Sequence, residues 1–251
     1  MPRTERGATT LQTTAVKGGT QHTLEIPSGR NHVPALWLVP SGTAPGPAVI
    51  LLHGLSSEKE RMAASVGRAL LARGVASLAL DLPLHGTRRS TAGGESFKNP
   101  LALVGAWRSA LREVGHATDW LVEQPETDTG RVGVIGYSLG GFLALMAAAE
   151  EDRLQVVALA AAGDLPDATP YAAIVRGLVD PLRAVRRLNG RPLLLVNGRH
   201  DTTTRPAQAE RLFAAASQPK SILWYDGGHW PSSATIDQTA DWTATALRGA
   251  P

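Results

Sequence analysis

Cysteine is absent from the 251-residue sequence, which excludes disulfides, thiolate metal ligation and a cysteine nucleophile. Charged residues make up only 19% and the net charge is +3, so the chain lacks a strong field of one sign. The pI near 9.6 arises from many arginines and few lysines, and no dense basic tract occurs. Nucleic acid is therefore not an expected partner. No apolar run reaches the roughly 18 residues of a membrane span, and the opening "MPRTERGATT" leads into no apolar signal segment. A cytoplasmic protein without a membrane partner is expected. Aromatic residues are scarce, at 5%, yet hydrophobic residues reach 43%. That content and length suit one sizeable core, so residues 1–251 are expected to form a single domain.

The order of segments is informative. "QHTLEIP" and "VPALWLVP" flank "SGRN" and predict an antiparallel hairpin. After a Pro/Gly loop, short apolar runs begin to alternate with longer helical stretches. The runs are "AVILLH", "VASLALDLP", "RVGVIGYS", "LQVVALAAAG", "RPLLLVNGRH" and "SILWYDG". Continuous apolar strands suit a parallel sheet covered on both faces. Met62, Val66 and Leu70 share one helical face; Val104, Trp107, Leu111, Val114 and Leu121 share another, after an Asn99-Pro100 start. "PSSATIDQTADWTATALRG" predicts a closing amphipathic helix. The expected fold is α/β: a doubly wound, mostly parallel eight-stranded sheet with the hairpin at its start. A helical excursion over residues 164–190 is expected to form a small lid, and residues 84–98 a long loop where open α/β sheets bind ligands.

The chemistry centres on "VGVIGYSLGGF". Gly136-Tyr137-Ser138-Leu139-Gly140 matches G-x-S-x-G between a strand and a helix. The phosphate-loop and dinucleotide alternatives fail, because neither their lysine ending nor their glycine spacing is present. A serine hydroxyl needs a base to take its proton, and the base needs a carboxylate to set its tautomer. His229, in "YDGGHWP", follows the last apolar run; Asp201, in "VNGRHD", follows the one before. The order Ser138, Asp201, His229 is that of a nucleophile, its acid and its base. Two backbone N–H groups are also needed where negative charge develops. Leu139 follows the nucleophile, and Leu55 stands in "ILLHGLSS" after the first parallel strand.

These elements, with the "DLPLHG" turn at Asp81–Gly86, resemble the α/β-hydrolase superfamily, in particular small esterases related to the dienelactone hydrolase branch. The likeness runs from about residue 20 to the C-terminus. It implies a catalytic triad of Ser138, Asp201 and His229, with oxyanion donors at Leu55 and Leu139. One departure bears on substrate: dienelactone hydrolases use a cysteine, and none is present. The expected activity is that of a serine carboxylesterase cleaving short to medium acyl esters through an acyl-enzyme, with a small-molecule ester as partner and no cofactor or metal. A peptidase or other acyl hydrolase, and a non-catalytic binding protein of the same fold, are the alternatives.

Rival residues are visible as well. His85 is the alternative base and a candidate substrate contact, Asp164 the alternative acid, and His200 adjoins Asp201. Trp230, Tyr171 and Trp107 are candidates for lining an apolar pocket, and Arg88, Arg89 and Lys98 for attracting an anionic group. No H-E-x-x-H spacing supports a metal site.

Overall fold

The computed structural model describes residues 7–42, 45–89, 100–166, 176–177 and 179–249. Its strands are β1 (Thr9–Val16), β2 (Gly19–Ser28), β3 (Asn31–Pro40), β4 (Gly46–Leu52), β5 (Ala76–Leu80), β6 (Thr127–Tyr137), β7 (Leu154–Ala160), β8 (Leu193–Gly198) and β9 (Lys220–Tyr225). They form one sheet in the order β1-β2-β3-β5-β4-β6-β7-β8-β9. The first three strands are antiparallel, β3 meets β5 antiparallel, and every pair from β5 onward is parallel. The sheet therefore has nine strands, one more than the expected eight. The extra strand is β1, whose "TTLQTTAV" is almost wholly exposed. It owes its place to the ladder with β2 and not to a buried face.

Helices cover both faces. The segment after β4 runs through α1 (Lys59–Met62), a π-helical turn (Ala63–Gly67) and α2 (Arg68–Leu71). Then come α3 (Pro100–Val122), α4 (Leu139–Ala148), α5 (Pro181–Arg186), α6 (Pro206–Ala215) and α7 (Ser233–Arg248). Side chains alternate across a strand, and β4 shows the consequence. Ala48, Ile50 and Leu52 join the core under α3, α4, α5 and α6. Val49 and Leu51 join the core under α1, α2 and α7, with Met62, Val66 and Leu70. α7 begins at Ser232, whose Oγ accepts the Thr235 amide as an N-cap.

Of the excursion at 164–190, the described part is held down by α5, beside α4 and α6. Asp180 caps α5 by accepting the Arg183 amide. Tyr171, Lys98 and Asn99, singled out in the sequence, lie outside the described residues. No helix among the described residues is long and apolar enough to cross a membrane.

Candidate active site

Strand β6 is central and ends at Tyr137, and α4 starts at Leu139. Ser138 alone joins them, with φ 51° and ψ −114°, a left-handed-side conformation that a side-chain-bearing residue adopts under strain. Its amide donates to the Ala160 carbonyl of β7 at 2.8 Å, and its carbonyl accepts from the amides of Gly141 and Phe142. So sharp a turn brings backbones into contact. A Cβ on Gly140 would overlap the Leu52 carbonyl of β4, and one on Gly136 would overlap Gly140 itself. Both glycines are required by close approach.

The partners arrive on the loops after β8 and β9. His229 Nε2 lies 3.0 Å from Ser138 Oγ, and its Nδ1 lies 2.8 Å from Asp201 Oδ2. An ionised carboxylate only accepts, so Nδ1 carries the proton and Nε2 is left to accept from the serine. Asp201 is buried, and its second oxygen accepts the amides of Thr203 and Thr204. These bonds aim Oδ2 at the imidazole. The two loops touch at Gly198, where any Cβ would overlap the Gly228 carbonyl. The His229 carbonyl is held from below by the phenol hydroxyls of Tyr137 and Tyr225, at 3.0 and 3.2 Å. Burial, followed by the Asp201 charge, pushes the Tyr225 phenol up to about 12, so it stays a donor. Burial likewise raises Tyr137, with Tyr225 and Asp201 adding to the effect.

The His53-Gly54-Leu55 turn lies against this elbow. A Cβ on Gly54 would stand 2.7 Å from the Tyr137 ring and 3.4 Å from Ser138 Cβ. His53 is fully buried; its Nδ1 donates to the Gly54 carbonyl at 2.8 Å and its Nε2 accepts the Leu82 amide at 3.1 Å. The ring thus ties the turn to the loop after β5. That loop is built around Asp81, which accepts the Lys59 amide and ammonium, the Thr87 amide and the Thr87 hydroxyl. Burial pushes the Asp81 carboxyl up, but these donors outweigh it and leave it below the usual range.

Burial lowers His53 to about 4, with the Gly54 bond only partly opposing. Between the unfolded value near 6.5 and that folded value the unfolded chain binds more protons, so stability rises with pH there. Stability is expected to be complete near neutrality and to fall as pH drops through this window, by on the order of 3 kcal/mol at full protonation. His85 is lowered too, mainly by burial, and acts in the same direction. Urea unfolding between pH 7 and pH 4 should show a shallower loss in His53→Gln than in wild type. Parallel curves would contradict the assignment.

A family model described as the alpha/beta hydrolase family matches residues 49–192, more than half of the chain. The chain belongs to the alpha/beta hydrolase family. The 2,6-dihydropseudooxynicotine hydrolase of Paenarthrobacter nicotinovorans is 34% identical over 122 residues, covering 49% of this chain and 30% of that protein. The curated relatives are covered over between 30% and 63% of their own length, so the chain spans about half of them. A cold-adapted esterase from an Arctic intertidal metagenomic library superposes with a TM-score of 0.77 at 18% identity, covering 94% of this chain and 98% of that one. The dienelactone hydrolase of Anabaena variabilis ATCC 29413 gives 0.68 at 23% identity, covering 92% and 98%. At these identities the structures show the shared fold.

In this alpha/beta hydrolase the rival residues are placed elsewhere. Asp164 is buried and held by two guanidiniums, those of Arg176 and Arg211. Burial raises its carboxyl, but the two arginines prevail and keep it low. His200 is exposed and pairs with Asp226 at 2.8 Å. His85 is buried, its Nδ1 on the Pro83 carbonyl and its ring 5.2 Å from that of His53. Arg88 makes a two-pronged pair with the buried Glu113, and Arg89 donates to the Ser56 carbonyl. These arginines brace loops. No group of three His, Asp or Glu side chains among the described residues is arranged to hold a metal ion.

Among the described residues two cavities flank the elbow, one on each face of the sheet. The first, of about 200 Å³, is walled by Leu55, Leu139, Leu143, Leu82, Trp107 and Ala110 among others. Trp107 therefore packs and lines at once. The second, of about 240 Å³, lies on the other side, under Trp230 and Tyr137. Trp230 stacks on Tyr137 at 4.8 Å and lines this second cavity, not the first. Tyr137 and Tyr225 are positioning residues that sequence reasoning passed over, and only the tyrosine beside Ser138 hinted at one of them.

Proposed function

We propose that this chain is a serine carboxylesterase that forms an acyl-enzyme on Ser138. The observation that carries the reading is the chain of hydrogen bonds from Ser138 through His229 to Asp201, at 3.0 and 2.8 Å. In this reading His229 takes the Ser138 proton as Oγ attacks an ester carbonyl, and the Asp201 carboxylate stabilises the imidazolium. The tetrahedral oxygen is stabilised by the amides of Leu55 and Leu139. Leu139 opens α4, so its N–H is not used by the helix ladder. Collapse expels the alcohol with the proton from His229, and water then hydrolyses the acyl-enzyme by the same steps.

In this reading the acyl group takes the apolar cavity that Leu55 and Leu139, the two oxyanion residues, both line. About 200 Å³ of apolar space favours short to medium acyl chains. A small-molecule ester is the partner, and the reaction as written needs no cofactor. We also take residues 1–251 as one domain, with 164–190 as a lid.

The test is kcat/KM across p-nitrophenyl esters of increasing acyl length, with a matched anilide. A burst of p-nitrophenol is expected, with short or medium chains preferred, the anilide far slower and EDTA without effect. Ala110→Leu, at the cavity wall, should shift preference to shorter chains. Equal cleavage of ester and anilide, or loss of turnover in EDTA, would contradict the esterase reading.

A further inference from the structure

The second cavity, of about 240 Å³, is not used by the reaction above. Its floor is the ends of three parallel strands, at Ile135, Ala160 and Val196. One wall is Met62, Ser65 and Val66, which span the junction of α1 with the π-helical turn. A π turn interrupts the regular ladder and is retained frequently at functional sites. Ile236 and Thr239 of α7 form the opposite wall.

The mouth carries different chemistry. Trp230 is 55% exposed and stacks on Tyr137, which presents an aromatic face at the edge of an apolar chamber. Arg61 places its guanidinium 4.6 Å from the centre of the Trp230 ring. Arg61 is the one charged residue among the described lining, and it makes no ion pair with any described residue. A half-exposed tryptophan and a guanidinium without an ion pair among the described residues, over an apolar chamber, match a ligand with an apolar body and an anionic end.

We propose that this cavity is a second ligand site, taking a small carboxylate with an apolar body of about one ring, its carboxylate at Arg61 and its body between Val66, Ile236 and Tyr137. The site stands apart from the esterase reading, since it shares no lining residue with the cavity assigned to the acyl group and lies on the other face of the sheet. It is nonetheless linked to the catalytic loop by contact. Tyr137 holds the His229 carbonyl, and Trp230 is the next residue after His229. A bound ligand therefore rests on Tyr137, one of the two phenols that hold the His229 carbonyl, and on Trp230 of the loop itself.

The probes are benzoate and its neutral analogue benzamide, followed by saturation-transfer NMR on the full chain. Benzoate is expected to bind in wild type and equally in Ser138→Ala, which separates this site from the nucleophile. Arg61→Gln should weaken benzoate by about fivefold, the scale of one exposed ion pair, and leave benzamide unchanged. Val66→Phe should fill the chamber and abolish binding of both probes. Ile236→Phe fills the same space from a half-buried position and carries the test if Val66→Phe does not fold. Binding that survives in a folded filled variant would overturn the proposal. So would equal effects of Arg61→Gln on benzoate and benzamide, or the absence of benzoate binding in wild type.

Discussion

Ser138→Ala is expected to lose ester turnover by on the order of 10⁴-fold or more, while its urea midpoint stays close to that of wild type. The size of the loss follows from cooperation. The imidazole, the carboxylate and the oxyanion donors act on an oxygen that the variant no longer has. The intact stability follows from the turn: alanine keeps the small Cβ, and the bonds that hold the elbow use the backbone of residue 138, to Ala160, Gly141 and Phe142. Active-site titration and steady-state kinetics on the purified variant decide it. Turnover within tenfold of wild type would place the attack on another group.

The second large effect separates the two histidines and the two acids. His229→Ala should be nearly as inactive as the serine variant, because no other base reaches Ser138 Oγ among the described residues. Asp201→Asn should cost about 10³- to 10⁴-fold in kcat, since an amide can donate to Nδ1 and hold the imidazole in the wrong tautomer. Asp164→Asn should instead lower stability, by unbalancing the buried pair with Arg176 and Arg211, and leave most activity. His85→Ala should likewise act on the loop after β5, by freeing the Pro83 carbonyl. Kinetics and unfolding measured on all four variants give the ranking. A larger kinetic loss in Asp164→Asn than in Asp201→Asn would contradict the assignment.

The parts of this molecule that a sequence reveals are those written in period and punctuation. Each parallel strand is an apolar run, so β4 to β9 stand where the pattern places them. The elbow is legible because two glycines are demanded by backbone overlap, and the order of Ser138, Asp201 and His229 follows the order of strands. β1 is not legible. Its threonines and Gln12 show no buried face, and only the ladder to β2 makes it a strand. Lys59 is not legible either. A lysine in "SSEKER" reads as solvated, yet it is buried on Asp81 through a pairing across 22 positions. The arginines that clamp Asp164 come from separate segments, and no local signal joins them. The split between Trp107 and Trp230, one to each cavity, depends on which face of the sheet each loop leaves.

The most direct measurement is labelling by a fluorophosphonate probe, with the adduct located by peptide mass mapping in wild type and in His229→Ala. A phosphonyl fluoride reacts with a serine whose proton has an acceptor, so it reads activation at the nucleophile and not affinity for a chosen ester. One adduct per chain is expected, on the peptide containing Ser138, forming at least a thousandfold more slowly in the His229 variant if the base supplies roughly what a triad member does. An adduct on any other residue, or labelling of Ser138 at an undiminished rate without His229, would contradict the account.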